Sequence, residues 1–127
     1  MSSFPDAIQA AQSHLDAAEF CFDHDREGLS ASEGYYAMFH AIRAWALLEE
    51  GEAPGTHKGM GLFVHRRVEE NRLDERLRDH FHDAKASRER WHYENLGPLP
   101  TAEMSKMLKA AEELIGGVLI RGRSSSS

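Results

Sequence analysis

Apolar residues recur every three or four positions through four long stretches of the chain, the period of helices that each bury one face. In the first stretch Ile8, Ala11, Leu15, Ala18 and Phe22 form one seam. Ser3, followed three residues later by Asp6, resembles a capping box with Asp in place of Glu or Gln, and marks the start. The pattern breaks over 25–30, around Gly28. Ser30 and Glu33 then form a second capping box, which opens a helix rich in large apolar residues as far as Gly51. Residues 51–56 read as a loop, and a short helix is predicted over 57–70, its start blurred by Gly59 and Gly61. A longer helix follows from about Leu73 to Tyr93, with Leu77, Phe81, Ala84 and Trp91 on one stripe. Gly97-Pro98-Leu99-Pro100 stops it. Thr101 is the expected N-cap of a last helix, whose apolar face holds Met104, Leu108, Ala111, Ile115, Val118 and Leu119. Residues 121–127, rich in Gly and Ser, are expected to be a disordered tail.

Composition supports the helical reading. Val, Ile and Thr together number nine against 16 Ala, too few β-branched side chains for a sheet. The prolines leave 6–53 and 55–97 free of the strongest helix breaker. The fold class expected is all-α: one domain over 1–120, an antiparallel bundle of four long helices plus one short helix. Charge then polarises it. The net charge is −6, but residues 1–56 carry −8 and the remainder +2. An acidic whole argues against broad non-specific affinity for nucleic acid, and leaves local binding to the C-terminal half. Cys21, the one cysteine, sits among apolar neighbours and reads as a core thiol in a reducing compartment. No apolar run is long enough to cross a bilayer, and the N-terminus has no basic-then-apolar leader pattern. A cytoplasmic protein without membrane contact is expected.

Two groups of polar residues stand where apolar ones would continue. Tyr36, His40 and Arg43 fall within about 60° of one another on a helix, with Glu33 one turn earlier. Such a ridge serves equally as a solvent face or as a set of hydrogen-bond donors for a phosphate. Arg88 lies four residues after Ala84 and three before Trp91, on the line of the apolar seam, so its guanidinium must be paired or must face a cleft. Glu33 is one candidate partner. His92 follows one turn after Arg88 and faces the same space, with Tyr93 beside it. His80 and His82 are about 200° apart and cannot chelate one metal from the same face. Gly55-Thr56-His57-Lys58-Gly59 lacks the strand, spacing and Ser/Thr of a phosphate-binding P-loop. Neither metal nor cofactor is expected.

Ser32-Glu33-Gly34-Tyr35-Tyr36-Ala37-Met38-Phe39-His40-Ala41-Ile42-Arg43-Ala44, then Thr56-His57-Lys58-Gly59, then Arg88-Glu89-Arg90-Trp91-His92-Tyr93, resemble in order and spacing the blocks of the HEPN domains. These are small all-helical proteins, named for higher eukaryotes and prokaryotes nucleotide-binding. The resemblance spans about Ile8 to Leu119 and implies a four- or five-helix bundle that forms homodimers, many of them encoded beside a minimal nucleotidyltransferase in toxin–antitoxin pairs. Its catalytic members are metal-independent ribonucleases with an Arg, four to six residues, a His and often a Tyr. Carried over, Arg88 and His92 become the catalytic pair and Tyr93 a candidate for modification with AMP by the partner; the ridge residues Tyr36, His40 and Arg43, with Lys58, are then expected to bind RNA or nucleotide beside them. Here three residues separate Arg88 from His92, closer to a branch with Arg, three residues, an acid and Tyr, and Glu33 replaces the usual basic residue before the Tyr-Tyr pair. The alternative expectation is a non-catalytic helical module that binds a nucleotide or a protein.

Overall fold

A computed structural model of the chain describes residues 3–93 and 101–125, in which five α-helices and no strand occur. They are α1 (Phe4–Asp23), α2 (Glu27–Glu50), α3 (His57–Glu69), α4 (Glu75–Tyr93) and α5 (Thr101–Ser125). The Ser3 hydroxyl accepts from the Asp6 amide and Pro5 occupies the first turn, so the sequence signal at this helix start is realised. Three residues separate α1 from α2, with Asp25 in the left-handed region at φ 57°, and a connection that short forces the two helices antiparallel. Gly51, at φ 78°, ends α2 in the left-handed conformation that glycine adopts without a Cβ penalty. Thr56 caps α3 through the Gly59 amide, and the Asp74 carboxylate accepts from the Arg76 amide at the start of α4.

The longest pairing is α1 against α2, and α2 is the helix that touches all four others. Its inward residues Tyr35, Met38, Ile42 and Trp45 are almost fully buried and join α1, α4 and α5 in one core. Ile8, Ala11, Leu15 and Ala18 of the α1 seam are buried and Phe22 is partly buried against the core; Leu77, Phe81 and Ala84 on α4 are buried, and the side chain of Trp91 lies outside the described residues. At Gly34 an added Cβ would press on the Met107 side chain, so this glycine lets α5 approach α2 closely.

Three expectations are corrected. Ser30 does not cap α2, which begins at Glu27. Ser30 is buried inside the helix, and its hydroxyl donates to the Ala18 carbonyl of α1 at 2.7 Å. The inter-helix acceptor outcompeted the local one because α1 and α2 pack tightly at this level. Thr101 is already helical in α5. Finally, 121–125 are not a tail but continue α5. Gly122 is buried beneath the Phe4 ring, where any Cβ would collide with it, and the Arg121 guanidinium lies 4.4 Å from the Trp45 ring and donates to the Arg72 carbonyl. The glycine that read as flexible is a packing surface.

Candidate functional site

Tyr35 and Tyr36 are neighbours on α2 and point about 100° apart. Tyr35 is fully buried, stacked on Phe81 of α4 with ring centroids 5.5 Å apart. Burial pushes its hydroxyl up to about 12, against the lowering influence of Arg88, so it stays protonated, and it hydrogen bonds with His57 Nδ1 of α3. Tyr36 is half-buried on the adjoining face, beside His14 of α1 (5.6 Å) and His40 (6.4 Å).

Arg88 comes from α4 and covers both tyrosines, its guanidinium carbon 5.0 Å from the Tyr36 ring and 5.9 Å from the Tyr35 ring. Its Nε is buried without a hydrogen-bond partner, and it makes no ion pair among the described residues. Glu33 is not its partner. The Glu33 carboxylate instead accepts from His14 Nδ1 at 2.5 Å, both side chains being about one-third exposed. His14 stacks on His40, 5.1 Å between centroids and 7° between planes. Arg43 Nε donates to His40 Nδ1 at 3.1 Å, which leaves the His40 proton on Nε2. Burial first, then the Arg43 and His14 charges, lower the His40 pKa to about 4, so its imidazole is neutral across the physiological range.

The ridge of Tyr36, His40 and Arg43 is therefore a half-buried cluster between helices and not a free solvent face. Arg88 joins it, as expected from the break in the α4 seam. Lys58 does not: it is exposed on α3 and lines another groove, with His57, His65, His82 and Lys85. The side chains of His92 and Tyr93, expected as the second catalytic residue and the modification site, lie outside the described residues, although the α4 backbone reaches Tyr93. Sequence reasoning passed over His14. Its one signal was a histidine between Ala11 and Ala18 at the edge of the α1 seam, and nothing local ties it to Glu33, 19 residues away.

The cluster brings together a cation and a neutral imidazole N–H, groups suited to hydrogen bonding a phosphate. No helix among the described residues is long and apolar enough to cross a membrane. No curated protein matches the sequence. The HEPN family does, over residues 4–120, and nearly the whole described fold lies inside that match. HEPN domains often dimerise and bind RNA, with nuclease and toxin–antitoxin roles known in the family. By this match and its five-helix fold, the chain belongs to the HEPN domain family.

Proposed function

We propose that the chain is a metal-independent endoribonuclease of a toxin–antitoxin-like or defence module, acting as a homodimer beside a minimal nucleotidyltransferase. One observation carries the reading: Arg88 is held over Tyr36 with a buried Nε that has no protein acceptor, next to a neutral His40 whose Nε2–H is unclaimed by Arg43. Burying part of a guanidinium without a carboxylate is costly, and an arriving phosphate removes that cost.

The chemistry follows from the substrate. In RNA the 2′-oxygen attacks the neighbouring phosphorus, the bond from phosphorus to the 5′-oxygen breaks, and a 2′,3′-cyclic phosphate and a 5′-hydroxyl result. The nucleophile belongs to the RNA, so the protein supplies proton transfer and charge stabilisation. His92 takes the proton from the 2′-hydroxyl, or returns one to the leaving oxygen. Arg88 stabilises the charge that grows on the non-bridging oxygens, and His40 donates to the same phosphate. A second copy across the dimer doubles these groups in one cleft. Modification of Tyr93 by the nucleotidyltransferase would fill the cleft with AMP and silence it.

Purified protein incubated with structured RNA in excess EDTA tests this. Cleavage to cyclic-phosphate ends is expected, falling about 10²- to 10³-fold in Arg88→Ala and in His92→Ala. Intact RNA after incubation with the wild type removes the nuclease reading. The short Arg88–His92 spacing favours a second reading, non-catalytic nucleotide binding. For that reading a rise in melting temperature with ATP, without RNA cleavage, is the signature.

A further inference from the structure

Tyr35 is in contact with groups from two other helices, Arg88 of α4 and His57 of α3. Arg88 lies over one part of its ring, and His57, bonded to its hydroxyl, opens a groove between α3 and α4. The groove encloses about 320 Å³, the low end of the range for small-molecule clefts. Its floor is apolar, from Phe81 and from Leu62, a leucine left 47% exposed. Its rim is basic, from His57, Lys58, His65, His82 and Lys85; His65 Nε2 lies 3.1 Å from Glu69 Oε1, and Glu69 is not itself among the lining residues. Lys58 makes no ion pair among the described residues, and the nearest carboxylate oxygen to Lys85 Nζ is that of Glu89 at 3.9 Å, outside the groove. The Tyr35 hydroxyl, held protonated by burial, hydrogen bonds with His57 Nδ1 and so fixes the imidazole at the edge of the groove.

We propose that this groove is a subsite for one nucleotide of a single-stranded RNA, flanking the phosphate bound at Arg88. The proposal rests on the RNA reading of the Arg88 cluster and extends it by fixing where the strand runs. An apolar floor with a cationic rim is the arrangement that single strands use: the base lies on the floor, the phosphate meets the lysines, and no base identity is read. A duplex is excluded as the occupant, because a base must leave its stack to reach the floor. The exposed leucine and the absence of carboxylates from a chain with net charge −6 both follow from such a role. Arg88 and His57 both lie near the Tyr35 ring, 5.9 and 5.7 Å from its centroid, so the groove adjoins the Arg88 cluster.

Fluorescence anisotropy of a labelled 12-nucleotide oligouridylate against the full chain, over a range of salt, tests the groove apart from catalysis. Lys58→Gln combined with Lys85→Gln is expected to weaken binding at least tenfold. It should also reduce the slope of log affinity against log salt by about 1.4, two phosphate contacts at roughly 0.7 each for a single strand. Leu62→Asp weakens binding through the floor, whereas Lys106→Gln with Lys109→Gln, on α5, leaves it unchanged. Failure of the wild type to bind the oligonucleotide overturns the subsite. So does an unchanged slope in a folded Lys58/Lys85 double variant, or an equal loss in the α5 control. Cleavage in EDTA is scored separately, so RNA that is cut with no effect of the groove lysines on binding leaves the nuclease reading standing and removes the subsite alone.

Discussion

His40 links the site to stability in a way that pH exposes. Its neighbours are Arg43 on its own helix, His14 from α1 with Glu33 behind it, and Tyr36, over which Arg88 reaches from α4. Burial first, then the electrostatic influence of Arg43 and His14, lowers its pKa from the ordinary value of 6.5 to about 4. In the native protein it is neutral at pH 5, while in the unfolded chain it is protonated. Above about pH 7.5 both states are neutral and the residue contributes no pH dependence. As pH falls from 6.5 towards 4 the unfolded chain takes up the proton first, and stability drops. At pH 5 the full linkage is roughly 2 kcal/mol. The ring is only half-buried, so solvent screening brings this to about 1 kcal/mol. His40→Gln, which cannot titrate, is therefore expected to lose about 1 kcal/mol less than the wild type between pH 7.5 and pH 5. Urea unfolding of both proteins at both pH values gives this double difference, in which the other histidines cancel. His14→Ala, which removes one of the causes, raises the His40 pKa in an NMR titration. Equal pH dependence in the wild type and His40→Gln refutes the reasoning, because it places His40 in an environment no different from water.

Two further substitutions test the packing that positions the site. Ser30→Ala removes the bond to the Ala18 carbonyl and should cost about 1 kcal/mol, offset by a few tenths from the better helix propensity of alanine, as read by the urea midpoint. A variant as stable as the wild type would mean that the bond does not hold α1 to α2. Arg121→Ala removes the guanidinium from the Trp45 ring and should also cost about 1 kcal/mol in chemical denaturation, whereas a residue in a disordered tail would cost nothing.

What could be read from the sequence was what depends on neighbours along the chain. The Ser3 cap, the α1 seam from Ile8 to Ala18, the glycine stop at Gly51 and the stripe from Leu77 to Ala84 are all local patterns, and all are present. The interruption of that stripe at Arg88 was equally legible, because a charge on an apolar face is visible in one dimension. The misreadings share a cause. Ser30 and Glu33 fit a capping box, yet the hydroxyl found an acceptor on α1 and the carboxylate found His14, 12 and 19 residues away. Gly122 fits a linker, yet it is small because Phe4, at the other end of the chain, covers it. Lys58 belongs to the same block pattern as Arg88 but lines a groove that neither Arg88 nor Tyr36 lines. Periodicity places a residue on a face, and it does not say which helix that face meets.

The way Arg88 is held bears on what it can do. A carboxylate partner, such as Glu33, would fix the guanidinium by occupying two of its N–H donors, and a phosphate would then have to compete for them. The Tyr35 and Tyr36 rings attract the same cation through their faces and occupy none of its in-plane donors. The diversion of Glu33 to His14 keeps the nearest acid of α2 away, and the protonated Tyr35 hydroxyl adds no anion. A bundle stabilised for its own sake gains from pairing this charge, or from replacing it with an apolar side chain of similar size. Arg88→Met therefore separates the two purposes: it should leave the fold as stable as the wild type or more so, while phosphate and RNA binding are lost. A variant that unfolds would assign Arg88 to the core, and one that keeps full RNA affinity would remove it from the site.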